Sequence, residues 1–567
     1  MSNSLTINVD YPRAAGWPHA GELVHLSELP RPAGRSLYRV LRGAAGQPHY
    51  RRIYLVCYNR NTVGRRLANA ALRMAEEVWL VPQVQAVGRL TKAGSLWRLP
   101  KLGRVLPLLA ARAFRRAVLA SPPKGTERPC GGILFLPHGY HPTTGGIETW
   151  MTSAAEGIHK AGVPIRVLDQ HRFGWRSHDA ASPVPIERIF SGPRDRLSEV
   201  VQLAKRAGAA TALLPGKLPS HKVLEMVSGF LSGQYLPGVC AFLSFYETAC
   251  RAIAAGKPES LHTGIANPEG PLLYLLSAIT GIPYLIYSHG TENVSFVNHR
   301  RLSGFYNECF RAATRTVNNA SYCREIVVEQ QGAPRERAEV INPGVDFRRF
   351  STPVSADKLA ELRRRYELAE EAKLLLILGR VVPRKGFDTT IEALPAVLAE
   401  FPETVLLLGG TGEYLPQVRK LIEELGLGER VRLLGRVPDD EMTAHYQLAD
   451  LFVMPSRDEP KGFFEGFGIV YIEAGAGGTP SIGTRSGGIS DAVHDGETGL
   501  LCEPKNPTDL TEKILTLWRD PALLRRLGEG ARAWAAELDW EKVARRTLEI
   551  DREMVEEAKR GDWLPPE

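Results

Sequence analysis

Short apolar runs alternate with helix-like stretches between residues 343 and 520, and this alternation constrains the fold more than any other feature of the chain. The runs read KLLLILG, TVLLLGG, VRLLG, DLFVMP and PSIGT, and stretches such as TTIEALPAVLAEF and PQVRKLIEELG separate the first of them. Alternation of this kind is typical of βα units that form a parallel sheet covered by helices. The sequence therefore predicts an α/β domain over residues 343–540.

A second alternating set of segments occupies residues 127–342. GILFLPHG, VPIRVLD, IPYLIYSHG and AEVIN have strand character, and GIETWMTSAAEGIHKAG has the pattern of a helix. NPGVDFRRF supplies turn residues at which two domains can meet. We therefore predict two doubly wound, Rossmann-like domains that face each other across a cleft. A final amphipathic helix, residues 541–567, is expected to pack back on the N-terminal domain.

Residues 1–126 form a basic N-terminal extension. The first 130 residues hold 21 Lys or Arg against 6 Asp or Glu, whereas the whole chain holds 71 against 63. Such asymmetry suggests attraction to an anionic surface. Within the extension, RRIYLVCYN, TVGRRLANAALRMAEE and VWLVP fit a strand, a helix and a second strand.

Residues 89–118 contain eight basic residues and no acidic one. If residues 101–118 are helical, the basic side chains share a wedge of about 120° at ~100° per residue. They are Lys101, Arg104, Arg112, Arg115 and Arg116, and the adjoining face holds Leu102, Leu106, Leu109, Ala113 and Ala117. Such a helix can lie in the interface of an anionic membrane. It can equally pack on its own domain with its charged face in solvent, and both interpretations stay open.

Several features argue for a cytoplasmic protein. The sequence has no apolar run of the roughly 18 to 20 residues that span a bilayer, and its first residues lack the pattern of a secretory signal. Its seven cysteines contain no Cys-x-x-Cys pair, which suits a reducing compartment. We expect a cytoplasmic location, peripheral on the inner face of the membrane if residues 89–118 bind lipid, and no nucleic acid partner.

The stretch EGFGIVYIE, residues 465–473, has a carboxylate at each end of an apolar, glycine-containing run. It follows a strand and a loop, so its glycines fall where a helix should begin, and a helix N-terminus suits a phosphate. A carboxylate at Glu473, buried along that helix, needs donors, and two ribose hydroxyls would supply them. Glu465 would then face the sugar of the same ligand. The alternative is that both glutamates are simply exposed.

The segment LGRVVPRKG places Arg380 at the end of a strand and Lys385 in the following loop. Two fixed cations at one sheet edge can balance a diphosphate. Strand-to-helix loops are often basic, so the segment is informative mainly because it shares a domain with the two glutamates. We find no Asp-x-Asp stretch or other ligand cluster, so we expect no metal, with the cations in its place.

Taken together, GRVVPRKG, LLGRVP, ADLFVMPS, EGFGIVYIE and SGGISD resemble the retaining glycosyltransferases of GT-B fold, of the large family 4 type. The resemblance covers residues 130–555 and is stronger in the C-terminal half. It implies transfer of a sugar from a nucleoside diphosphate sugar to a hydroxyl with retention of configuration, and no further cofactor. The acceptor would be a saccharide, a lipid-linked sugar or a polyol, in envelope polysaccharide or glycolipid synthesis.

The resemblance also implies roles for individual residues. Arg380 and Lys385 would hold the diphosphate, Glu473 the ribose and Glu465 the transferred sugar. His289, in YSHGTE, would be an active-site histidine. The full set of positions implied at the donor is Gly145, Gly146, Arg380, Lys385, Val437, Glu465, Phe467, Gly468, Ile469 and Glu473.

Two other classes of function are compatible with parts of this pattern. A dinucleotide-dependent oxidoreductase would need Gly-x-Gly-x-x-Gly after a strand, and GGTGEYL (409–415) does not complete it. A catalytically silent protein that binds sugar nucleotides, with residues 1–130 as its interaction module, would keep the same charged residues. Only a transfer assay separates this second alternative from an enzyme.

Overall fold

In a computed structural model, the described part of the chain comprises five strands before residue 91 and most of the chain after residue 101. The latter ranges are 102–121, 131–137, 139–141, 145–170, 175–189, 197–234, 236–265, 269–290, 302–460 and 462–567.

The first sheet has five strands in the order β2-β1-β3-β4-β5. They are Ser4–Asn8 (β1), Glu22–His25 (β2), Tyr50–Cys57 (β3), Ala75–Pro82 (β4) and Gly88–Leu90 (β5). The strands predicted in RRIYLVCYN and VWLVP are β3 and β4, which pair in parallel. The helix predicted over residues 62–77 was wrong at its end, because residues 75–77 pair with β3 in the sheet, and its remainder lies outside the described residues.

The second sheet has seven strands in the order β12-β11-β10-β9-β6-β7-β8. They are Ile133–Leu136 (β6), Ile165–Gln170 (β7), Ile186–Ile189 (β8), Ser260–Thr263 (β9), Tyr284–Ser288 (β10), Arg315–Asn318 (β11) and Ala338–Val340 (β12). The chain runs from β6 outward to β8 and then crosses to β9 on the other side. This reversal beside the central strand defines a doubly wound sheet.

Nine α-helices accompany this part of the chain in the described residues, and three of them follow one another between β8 and β9. They are Leu102–Leu119 (α1), Gly146–Lys160 (α2), Trp175–Ala181 (α3), Leu197–Ala209 (α4), His221–Gly233 (α5), Leu236–Gly256 (α6), Glu269–Thr280 (α7), Ser303–Ala312 (α8) and Ser321–Gln331 (α9).

The third sheet has six parallel strands in the order β15-β14-β13-β16-β17-β18. They are Lys373–Leu378 (β13), Thr404–Gly409 (β14), Val431–Gly435 (β15), Leu451–Val453 (β16), Ser481–Thr484 (β17) and Gly499–Cys502 (β18). The apolar runs predicted as strands are β13 to β17. Two parallel, Rossmann-like sheets are thus confirmed.

The remaining helices cover the third sheet and end the chain. They are Phe347–Ser351 (α10), Ala356–Arg365 (α11), Phe387–Glu400 (α12), Leu415–Glu424 (α13), Met442–Leu448 (α14), Ile469–Ala476 (α15), Ile489–Ala492 (α16), Pro507–Arg519 (α17), Pro521–Glu537 (α18) and Trp540–Arg560 (α19).

The contacts divide the chain into two compact units. One comprises residues 1–286, 300–314 and 551–567, and the other comprises residues 287–299 and 315–550. In the first unit, Asp551 attaches the C-terminal half of α19, because its carboxylate lies 2.9 Å from His262 Nε2. After the helix, the Trp563 indole N–H donates to the carbonyl of Ala312. These divisions differ from the predicted domain bounds, which stay a prediction.

Helix α1 packs within the first unit, although the sequence placed it in the extension. Its buried side chains include Ala110, Ala111, Phe114 and Val118. The Phe114 ring lies edge-on to Tyr246 of α6, 5.1 Å between centroids. At the contact with α4, a Cβ on Gly208 would lie 2.5 Å from that of Ala117. This side of α1 is therefore covered by protein. Of the predicted apolar face, Leu109, Ala113 and Ala117 are only half-buried, while Arg112 and Arg116 remain exposed.

Candidate active site

The loop after β13 brings basic side chains to the carboxyl end of the third sheet. A single 3-10 turn, Pro383–Lys385, ends at Gly386, whose φ is +71°. A Cβ at Gly386 would lie 2.1 Å from the carbonyl oxygen of Pro455, just beyond β16. A residue other than glycine would push the two loops apart, so Gly386 permits their close approach.

Lys385 and Glu465 form an ion pair across these two loops. Lys385 Nζ lies 2.5 Å from Glu465 Oε2, and the side chains are 11% and 12% exposed. Arg384 joins them, 3.5 Å from the same oxygen, and donates to the carbonyl of Phe464 at 3.1 Å. Arg384 was missed as a site residue, although it stands in the same basic segment, PRKG.

Charge and burial act in opposite directions on this pair. Burial lowers the pKa of Lys385, and the negative charge of Glu465 only partly compensates. Burial also disfavours ionised Glu465, but the charges of Lys385 and Arg384 outweigh it and hold the pKa of Glu465 below its usual value. The charge of Arg380 acts on both groups, so the predicted cations and Glu465 share one electrostatic environment.

A second ion pair, between Arg457 and Asp388, fixes the position of the basic loop. Arg457 makes two hydrogen bonds to the Asp388 carboxylate, at 3.0 and 2.7 Å, and the Tyr414 hydroxyl donates to the same carboxylate. The main-chain N–H of Arg457 donates to the carbonyl of Arg384 at 2.7 Å. Paired N–H···O bonds give geometric specificity, so this network holds the loop in one position.

The glycines of EGFGIVYIE lie where the helix begins, as the sequence predicts. Gly468 has φ +90° and precedes α15 directly. A Cβ on Gly466 would lie 2.1 Å from the carbonyl oxygen of His289, which also accepts from Asn319 Nδ2 at 3.0 Å. His289 itself is 6% exposed. The segment after β10 and the start of α15 are therefore in close contact within the second unit.

Substituting Gly466 by alanine is expected to destabilise the protein by roughly 1–3 kcal/mol, the range for overpacking a tight site. The added methyl would displace the His289 carbonyl and disturb its bond to Asn319. Chemical denaturation followed by circular dichroism measures the change in the free energy of unfolding. Gly428→Ala is the matched control, because a Cβ there meets nothing within 4 Å. Equal stability of the two variants would contradict the prediction.

Glu473 lies on α15 and is held by a tyrosine. The hydroxyl of Tyr446, on α14, donates to Glu473 Oε2 at 2.7 Å. Burial raises the pKa of Glu473, opposed by the Tyr446 hydrogen bond and by the charge of Arg349. The predicted burial of this carboxylate near the sheet is thus observed in part, since the side chain is half-buried.

The other predicted residues are placed as follows. Val437 lies after β15 and is half-buried, with Cγ2 3.0 Å from where a Cβ on Gly409 would stand. Phe467 is buried and Ile469 half-buried. Gly145 and Gly146 belong to the first unit, at the start of α2.

At that position a Cβ on Gly145 would lie 2.4 Å from Glu148 Oε2. A side chain at Gly145 would therefore displace the Glu148 carboxylate.

Among the described residues, no group of three or more His, Cys, Asp or Glu is placed to share a metal ion. The described helices also include none with the length and apolar character that crossing a membrane requires.

The fold identifies the structural class of this protein. HepE from Anabaena, solved in complex with UDP and glucose, superimposes with a TM-score of 0.55 and 18% sequence identity, over 75% of this chain and 100% of that one. At this identity the likeness shows the fold alone. The two parallel sheets and this likeness define a GT-B glycosyltransferase fold.

Sequence comparison then gives the family. Residues 144–349 match the family described as Glycosyltransferase Family 4, and residues 359–534 match Glycosyl transferases group 1. The D-inositol 3-phosphate glycosyltransferase of Thermobispora bispora is 35% identical over 375 residues, which are 62% of this chain and 83% of that protein. The chain belongs to the group 1 glycosyltransferases of family 4.

A further relative matches over a shorter stretch. The GDP-mannose-dependent alpha-(1-6)-phosphatidylinositol monomannoside mannosyltransferase of Mycolicibacterium smegmatis is 37% identical over 209 residues, which are 37% of this chain and 54% of that protein. The chain thus spans about half the length of that mannosyltransferase.

Proposed function

We propose that this protein transfers a hexose from a nucleoside diphosphate sugar to a hydroxyl acceptor, with retention of configuration and without a metal. The observation that carries the proposal is the cluster of Arg380, Arg384 and Lys385 around Glu465. Family membership supports the same reaction.

The chemistry follows from the leaving group. A nucleoside diphosphate departs with negative charge on its β-phosphate, so the enzyme must stabilise that charge. Arg380 and Lys385 would do so electrostatically, with the free N–H groups at the start of α15. Glu465 would hold a hydroxyl of the transferred sugar, and Glu473 the ribose. His289 would lie on the sugar side, and Gly145 and Gly146 near the donor phosphates.

A donor screen tests this proposal. Thermal melting is recorded with UDP, GDP and ADP, and transfer or hydrolysis is then followed with the matching nucleotide sugars. UDP is included because HepE was solved in complex with it, and GDP because the mannosyltransferase relative is named as GDP-mannose-dependent. Stabilisation together with turnover supports the proposal. Stabilisation without turnover favours a silent sugar-nucleotide-binding protein. The absence of both stabilisation and turnover contradicts both functions.

The acceptor is proposed to be a saccharide, a lipid-linked sugar or a polyol, in envelope polysaccharide or glycolipid synthesis. The relatives are named for an inositol phosphate and for a phosphatidylinositol monomannoside, which supports polyol and lipid-linked acceptors. A cytoplasmic location at the membrane's inner face would suit both the donor and such acceptors.

We also propose that α1 contacts an anionic membrane through its solvent face. Arg112 and Arg116 are exposed there, with Leu108 at 41% and Leu119 at 48%. Because the opposite face is packed inside the first unit, contact would depend mainly on charge. The side chains of Lys101 and Arg104, and residues 91–101, lie outside what the structure describes.

Reversing two of these charges tests the contact. The double variant Arg112→Glu, Arg116→Glu is expected to sediment less with phosphatidylglycerol vesicles than the parent, and the parent's binding is expected to weaken with salt. The control is Arg525→Glu, Arg526→Glu, two exposed arginines on α18. Equal losses in both double variants, or binding insensitive to salt, would dispose of the idea.

A further inference from the structure

Glu473 is a carboxylate with one oxygen held and one available. Tyr446 donates to Oε2 at 2.7 Å, whereas no described residue donates to Oε1. The side chain is half-buried. Oε1 is therefore the oxygen of this carboxylate that keeps all of its acceptor capacity for a ligand, while the bond from Tyr446 on Oε2 restricts rotation of the group.

Tyr446 is itself immobilised. It is fully buried, and its ring contacts those of Phe350 and Phe452, with centroids 5.8 and 5.7 Å away. Its carbonyl oxygen accepts from the Thr479 hydroxyl at 2.6 Å. Burial and the charge of Glu473 raise the pKa of Tyr446 well above its usual value, so the hydroxyl keeps its proton and remains a donor.

We propose that Tyr446 is a positioning residue for donor recognition: it holds Glu473 so that Oε1 accepts from the ribose hydroxyls of the nucleoside diphosphate. The inference rests on the proposed function, because it takes Glu473 as the ribose-binding group. Tyr446 lies on a different helix, 27 positions earlier in the chain. We expect it to set the ratio of the affinity for a ribonucleotide to that for a deoxyribonucleotide.

Loss of the hydroxyl has two consequences for ligand binding. The carboxylate gains rotational freedom, so binding through Oε1 costs more entropy. Glu473 also loses a hydrogen bond that favours its ionised form, so its pKa rises further. The other groups that act on Glu473 are Arg349 of α10, which favours ionisation, and Asp439, which opposes it.

The test compares binding of UDP and GDP with that of their 2′-deoxy forms by calorimetry. In Tyr446→Phe, affinity for UDP or GDP is expected to fall roughly 3- to 10-fold, the scale of one hydrogen bond, with much less effect on the deoxy forms. As pH is lowered, Glu473 takes up a proton and ribonucleotide affinity falls. This loss is expected to begin at a higher pH in the variant than in the parent, because the pKa of Glu473 has risen. A merely structural role would move neither the preference nor the pH profile.

Two further variants complete the design. Tyr366→Phe removes a hydroxyl that bonds to His445, beside Tyr446, and is expected to leave the ribose preference unchanged. Tyr446→Met also lacks a donor and fills space flexibly, so it replaces Tyr446→Phe if that variant does not fold.

The failures are distinguishable. If Glu473→Gln leaves the affinity for UDP and GDP unchanged, the ribose site of the proposed function is wrong. If Glu473→Gln weakens binding but folded Tyr446→Phe keeps both the ribose preference and the pH profile of the parent, the positioning role of Tyr446 is overturned.

Discussion

Replacing Lys385 by alanine is expected to slow sugar transfer roughly 10- to 150-fold and to weaken binding of UDP or GDP similarly. The physical reason is the loss of a charge-assisted hydrogen bond to the diphosphate, worth about 1.5–3 kcal/mol, with a tenfold change for each ~1.4 kcal/mol. Lys385 is 11% exposed, so its charge is poorly screened by water and its removal should be felt in full.

The measurements are steady-state transfer rates and calorimetric binding of the nucleoside diphosphate. Lys420→Ala is the matched control, because Lys420 is 74% exposed and pairs with Glu424 on the surface of the same unit. That variant is expected to behave as the parent. Undiminished binding and transfer by folded Lys385→Ala would show that the diphosphate does not lie on this lysine.

Replacing Glu465 by glutamine is expected to change binding and transfer in opposite directions. Glu465 bonds to Lys385 and lies near Arg384, so its charge competes with a diphosphate for both cations. The neutral amide removes the competition, and binding of UDP or GDP is expected to tighten roughly 3- to 10-fold. Transfer is expected to fall at least about tenfold, since the contact to the sugar loses a charged acceptor.

Glu441→Gln is the control for this experiment. Glu441 is 15% exposed and also has two basic partners, Arg365 and Lys358. Their hydrogen bonds lower the pKa of Glu441 to about 2, so the ionised group contributes stability that is present above its usual pKa and lost as pH falls toward 2. Its loss should lower stability without changing nucleotide affinity. Weaker binding of UDP or GDP to Glu465→Gln would contradict the expected competition between Glu465 and the diphosphate for the two cations.

Much of the fold could be predicted because the relevant signals are local. The run KLLLILG is β13, and the glycines before Ile469 precede α15 directly. Apolar periodicity and glycine placement act over a few residues, so a single sequence displays them. The strands β1 and β2 were missed, since Glu22–His25 is short and has no long apolar run.

Helix α1 shows where local pattern is insufficient. The sequence predicts a basic amphipathic helix over residues 101–118, and the structure has one over Leu102–Leu119. Whether its apolar side meets lipid or protein depends on what the chain places beside it. Phe114 packs against Tyr246, 132 positions away, and no periodicity within the helix contains that information.

The sequence by itself determined the class of fold, the start of α15 and the candidate residues Arg380, Lys385, Glu465 and Glu473. The tertiary structure decided that Lys385 and Glu465, 80 positions apart, share an ion pair, that Arg384 joins them and that Tyr446 holds Glu473. Strand and helix signals arise from neighbouring residues, whereas the ion pair forms only when parallel strands bring their following loops to one edge of a sheet. The partners in the ion pair depend on strand order and on the close approaches that glycines permit. The bond from Tyr446 to Glu473 forms only when two helices pack together.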